Sequence, residues 1–176
     1  MQDQGAHFNN CDFQVHTPRD EKWSGQRPTS DEDREAYAQR FIKVCHMKGL
    51  NAVAITDHHD MVFVKYIRDA AQNELDEDGT PVPDDKKIVV FPGMELTLGV
   101  PCQALLIFDA DLPEHLFERI YAALAINTSD AEDAKTAPTQ RLENISVLND
   151  ICGALDHQKD LKGRYILLPN VTNEGK

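Results

Sequence analysis

The chain has 176 residues, a formal net charge of −12, 41% hydrophobic residues and 27% charged residues, and an isoelectric point near 4.9. That length supports one domain with a sizeable core, taken here as residues 1–176, and is short for two. So acidic a balance argues against nonspecific coating of duplex DNA, which needs many Lys and Arg contacts, and no apolar run approaches the ~18 residues of a membrane span. An acidic metalloenzyme that meets phosphates through bound cations stays open.

The N-terminal stretch "MQDQGAHFNN" lacks the apolar core of a signal peptide. Cys11, Cys45, Cys102 and Cys152 are scattered without a CxxC pair, so they are expected reduced and mostly buried, in a cytoplasmic protein. "CDFQVHT" (11–17) reads as a strand stopped at Pro18. Ser30 with Asp33 resembles a capping box, and Tyr37, Phe41, Val44, Cys45 and Lys48 continue at helical spacing to Gly49. "NAVAIT" (51–56) is almost wholly apolar, as a strand covered on both faces should be. Residues 62–75 carry Val62, Tyr66, Ile67, Ala70 and Ala71 on one helical face. A polar connector (76–87) leads to "IVVFPGMEL" (88–96), a strand expected to run into a Pro-Gly turn, and "QALLIF" (103–108) follows. Helices are expected over 114–126 and 141–155, around a mobile loop at 127–139, before a fifth strand, "YILLPN" (165–170).

Strands alternating with helices predict an α/β fold with a mainly parallel sheet. Five strands do not close an eight-strand barrel, so the chain is either a small open sheet or the front part of a larger barrel; the second is the expectation carried forward. In such folds chemistry collects at the carboxyl ends of strands. Those ends carry His16, then Asp57, His58 and His59, then Glu95, then Asn170. Mixed imidazole and carboxylate suits zinc, manganese or iron better than magnesium. Taken singly, Glu95 reads more often as a solvated loop residue and His16 more often as a turn residue; "TDHHD" is harder to explain without a metal or catalytic role. His7, His46, His115 and His157 fall near the terminus or in expected helices and are set aside as surface or capping residues. The loop "TPRDEKWSGQRP" is expected to overhang this rim, with Arg19, Lys22 and Arg27 clamping a phosphate and Trp23 offering a stacking face. A solvated loop with Trp23 packed as a lid is the alternative. No Gly-rich phosphate loop, paired nucleophile motif or basic helical stripe points elsewhere.

"DFQVHT", "GLNAVAITDHHD" and "FPGMELT" resemble, in order and spacing, the first three motifs of the PHP (polymerase and histidinol phosphatase) superfamily. "HFNNCDFQVHTPRD" and "MELTLGVPCQALLIFDAD" resemble most closely its TrlF-like group, in which a PHP domain precedes an ABC/SMC-type ATPase and which is associated with bacterial antiphage defence. The resemblance implies a distorted (β/α)7 barrel, of which this chain would be the N-terminal part, holding divalent ions and hydrolysing phosphoesters of nucleic acid or nucleotides, with an ATPase in cis or in trans. It makes His16, Asp57, His58 and Glu95 metal ligands, the last three also catalytic. Gln14, Gln103 and Asn170 stand where histidines are usual, and His59 is a further candidate ligand. Neutral amides bind such ions less well than imidazole, so one or two ions are expected rather than three. The same substitutions motivate an alternative: a degenerate PHP domain serving as a structural, regulatory or nucleic-acid-binding module of an ATPase complex.

Overall fold

Among the described residues, apolar patterning resolves into five strands and four α-helices in the computed structural model. The structure describes residues 8–20, 22–100, 102–127, 141–145 and 147–170. In chain order these are β1 (Cys11–Val15), α1 (Asp31–Met47), β2 (Ala52–Ile55), α2 (Val62–Gln72), β3 (Val89–Thr97), β4 (Gln103–Phe108), α3 (Phe117–Ala123), α4 (Leu148–Asp156) and β5 (Tyr165–Asn170). The expected helix over 114–126 is a 3-10 turn (Glu114–Leu116) followed by α3, and the one over 141–155 begins only at Leu148. All of the expected 127–139 loop except Asn127 lies outside the described residues.

The strands lie side by side in sequence order, β1-β2-β3-β4-β5. β1, β2 and β3 are parallel, whereas β3/β4 and β4/β5 are antiparallel, so the expected mainly parallel sheet is instead mixed. Only residues 98–102 separate β3 from β4, and a parallel return needs a crossover of a dozen residues or more.

The Pro-Gly pair is not a turn but the middle of β3. Val89–Pro92 pair with β2, and Gly93–Thr97 pair with β4. Pro92, which has no N–H to give, falls at the last parallel pair, where the ladder changes partner. At Gly93 a Cβ would lie 2.7 Å from the Leu106 carbonyl oxygen and 3.2 Å from that of Ile55. Only glycine lets both flanking strands approach.

Helix α1 starts as its sequence predicts: the Ser30 hydroxyl accepts from the Asp33 N–H at 3.2 Å. It ends at Gly49 (φ +66°), with the Leu50 N–H reaching back to the Cys45 carbonyl. Together α1 and α2 cover one face of the sheet, burying Ile42, Phe63 and Ile67 against Val53, Ile55, Val90, Met94, Leu106 and Phe108. The other face holds a small cluster, Ala54, Leu105 and Ile107 beneath Phe91, with Phe13 packed edge-on to Phe91. No described helix is long and apolar enough to cross a membrane.

Candidate metal centre

Three strand ends are brought level by main-chain bonds that continue past the ladder. Thr56 N–H donates to the Val15 carbonyl (2.8 Å), while its hydroxyl accepts from Val15 N–H (3.1 Å). The Glu95 N–H donates to the Asp57 carbonyl (3.1 Å), and His58 sits beside Glu95 as an isolated parallel bridge. Residues just beyond β1 and β2 therefore face a residue within β3.

Asp57 is fully buried, and its two oxygens accept from the Thr17 N–H (2.6 Å) and the Thr17 hydroxyl (2.5 Å). Burial pushes its carboxyl up to about 7, against the pull of the two Thr17 bonds. The bonds fasten the loop after β1 to the end of β2. From Thr17 the loop turns: Asp20 N–H donates to the Thr17 carbonyl and Trp23 N–H to the Asp20 carbonyl. This turn delivers the buried Asp20 carboxylate to the strand ends. Its Oδ1 accepts from Lys22 N–H (2.7 Å); its Oδ2 lies 2.8 Å from His16 Nδ1 and 3.7 Å from His58 Nε2.

The His16 and His58 rings stack, with centroids 5.2 Å apart. His16 Nε2 lies 3.2 Å from Glu95 Oε2, an oxygen that also accepts from Gln14 Nε2 at 3.0 Å. The Glu95 contact, helped by Asp20 and Asp57, raises the His16 pKa despite burial. Burial raises Glu95, but His16, His58 and Gln14 outweigh it and leave the carboxyl below its ordinary value.

The donor set fits a divalent cation. His16, Asp20 and His58 each offer one atom, all within 4.8 Å of one another. The Nδ1 atoms of His16 and His58 are buried without a hydrogen-bond partner, and His16 Nδ1 stays so despite its close approach to Asp20. His16 Nδ1, buried and unbonded beside the Asp20 carboxylate, forms with His58 Nε2, close to the same oxygen, the mixed nitrogen and oxygen donor set that a divalent ion takes.

The structure brings His16, His58, Glu95 and Gln14 together, with Asp57 immediately beneath. Gln103 pairs with Thr97 on one side and Asn170 on the other, so its backbone reaches the same rim. His59 serves otherwise: in a left-handed conformation (φ +54°), it accepts the Thr97 N–H on Nε2 at 2.9 Å. Burial first, then the neighbouring His58, lowers its pKa to about 4. Its Nε2 lone pair is thus committed to linking the end of β2 to β3.

Two cations of the expected phosphate clamp have partners within the protein. Arg19 is 2% exposed, with Nη2 and Nε on Asp60 Oδ2 at 2.7 and 3.2 Å. Arg27 is half-buried and donates to the carbonyls of Pro18, Asp20 and Trp23. Arg19 ties the loop to Asp60 beyond β2, whereas Arg27 is a strut inside the loop, because a loop folded inward must supply donors for its own carbonyls. Lys22 is exposed; Trp23 packs edge-on against Tyr37 and donates to the Gln26 carbonyl. Sequence reasoning missed Asp20 and Thr17. The signal was present: an acid four residues after His16, beyond a proline that forces the chain to turn.

No protein-family model matches the sequence, and no curated protein matches it. Among solved structures, the chain is similar to the lesion-specific endonuclease EndoQ from Pyrococcus furiosus, with 15% identity, TM-score 0.48, 92% of this chain and 34% of that one. It is similar also to Endonuclease Q in complex with a 27-mer duplex bearing an abasic lesion at the active site, with 15% identity, TM-score 0.47, 90% of this chain and 34% of that one. The chain spans about a third of the length of both.

Proposed function

We propose that the chain is the N-terminal part of a PHP-type (β/α)7 barrel acting as a metal-dependent phosphoesterase on nucleic acid or nucleotides. The observation that carries this reading is the convergence of His16, Asp20, His58 and Glu95 where β1 and β2 end beside β3. His16, Asp20 and His58 would hold a first ion of manganese, zinc or iron; Glu95 would complete its shell or share a second. A divalent ion there supplies Lewis acidity toward a phosphoryl oxygen. Asp57 acts on the site through Thr17, keeping the loop that carries Asp20 in place. Lys22, exposed on the same loop, would meet a phosphate at this rim. The resemblance extends the reading to an ABC/SMC-type ATPase partner, in cis or in trans, and to antiphage defence.

One observation favours the second reading, a catalytically weak module of an ATPase complex. The Gln14 amide donates into Glu95 Oε2, a position where a second ion would need an acceptor instead. Purification without chelator, metal analysis, and hydrolysis of bis(p-nitrophenyl) phosphate with added Mn²⁺ separate the two. The enzyme reading expects bound metal and Mn²⁺-dependent turnover. The Asp20→Ala/Glu95→Ala double variant should lower that turnover by more than the ~10- to 100-fold typical for losing a supporting partner of a metal ligand. Turnover unchanged in that variant ends the enzyme reading; stoichiometric metal without turnover favours the module.

A further inference from the structure

Asp20 is not on a strand, so something other than the ladder must hold its carboxylate against the two imidazoles. The loop that carries it makes two successive turns, Thr17 to Asp20 and Asp20 to Trp23. Such a path points carbonyl oxygens inward, and one side chain gathers them. Arg27 Nη1 donates to the Pro18 and Asp20 carbonyls, the latter at 2.7 Å, and Nη2 donates to the Trp23 carbonyl at 2.8 Å. Two of these carbonyls flank the Pro18–Asp20 segment, and the third closes the second turn. Arg27 lies on the return limb of the loop, just before α1 begins.

We propose that Arg27 is a positioning residue for the cation site: by tying three loop carbonyls to one guanidinium, it presets Asp20 Oδ2 opposite His16 and His58. This rests on the metal-dependent reading above. The planar fork is what the task needs, because one group must donate in divergent, fixed directions at once; a lysine ammonium supplies the charge without that geometry. Without the fork, the carbonyls of Pro18, Asp20 and Trp23 have no common donor, the loop loosens, and Asp20 must be ordered when the cation binds. Asp57 and Thr17 would still anchor the near end of the loop. The expected loss is therefore in cation affinity more than in folding.

The sole tryptophan, Trp23, shares this loop and reports on it directly. Mn²⁺ and Zn²⁺ are titrated into the chelator-stripped full chain, by calorimetry and by Trp23 emission, with the melting temperature of the stripped protein as a control. Arg27→Gln should weaken cation affinity about 10- to 100-fold, with Arg27→Lys in between and the stripped melting temperature nearly unchanged. Arg27→Gln and Asp20→Asn should be strongly non-additive, since one acts through the other, whereas independent losses would multiply. A merely structural Arg27 would lower the melting temperature and leave that coupling at zero. Affinity equal to the parent in Arg27→Gln, or additive losses, overturns the proposal while leaving the metal reading intact. A parent chain that binds neither ion overturns both. Should Arg27→Gln fail to fold, Arg27→Lys carries the same comparison.

Discussion

The two halves of the sheet differ in what they do with their strand ends. In the parallel half, β1 and β2 finish on one rim with His16 and Asp57-His58 just past their ends, and they face Glu95 within β3, where that strand already pairs with β4. In the antiparallel half, β4 starts at that rim and β5 ends there, contributing Gln103 and Asn170 opposite each other. Burial follows a different division, inner strands against outer ones: Ala52–Ile55 of β2 are all buried, and none of Tyr165–Pro169 in β5 is. Ala104–Phe108 of β4 are all buried, whereas Cys11–Gln14 of β1 are all exposed. Chemistry gathers where the ladder stops and side chains take over its bonding; resistance to unfolding gathers where the ladder is complete.

The largest effect that comparison predicts lies in the antiparallel half. Phe108 is fully buried in the main core beneath the helices and meets Tyr165 across β4 and β5. Phe108→Ala should cost about 3–5 kcal/mol in urea unfolding, yet leave Mn²⁺ affinity per folded molecule at the parent value. A matching loss of affinity would show that the two halves are not separable. Gly93→Ala tests the joint between them. Its Cβ would press on the Leu106 and Ile55 carbonyls, one from each half, so about 1–3 kcal/mol of stability should go. Because Glu95 lies two residues on in the same strand, cation affinity should fall with it. Stability lost at constant affinity would mean that the Glu95 position is set from β4 alone.

Most elements of the fold were legible because their signals are local. Ser30 with Asp33, the all-apolar Ala52–Ile55 and the glycine ending α1 each act within a turn of chain. Strand direction was misread: the short connector 98–102 already rules out a parallel return from β3 to β4, whereas the direction of β5 depends on which edge it meets. Pro92-Gly93 misled for a related reason: that pair signals a turn when read alone, but here it marks a change of pairing partner. In the site, His16, Asp57, His58 and Glu95 were readable as chemistry-bearing groups after apolar runs. Asp20 was hidden among Arg19, Lys22 and Arg27, where charge in a loop reads as solvated. Burial reverses that inference: Arg19 and Arg27 face inward to partners within the protein, and the same inward fold makes Asp20 available to the imidazoles.

The smallest predicted effect is at Gln103, a polar residue by which the antiparallel half reaches the rim. Its backbone pairs with Thr97, two residues beyond Glu95 along β3, and with Asn170 on the other side. A neutral amide adds no charge to the cation's shell and binds zinc-like ions less well than the imidazoles of His16 and His58. Gln103→Ala should therefore change Mn²⁺ affinity by less than about threefold, below 1 kcal/mol. Gln103→Leu, which keeps the bulk but not the amide, should agree with it. A loss in both variants as large as that in Asp20→Asn would place a ligand in the antiparallel half. The division between a rim that binds and a ladder that stabilises would then have to be redrawn around all five strands.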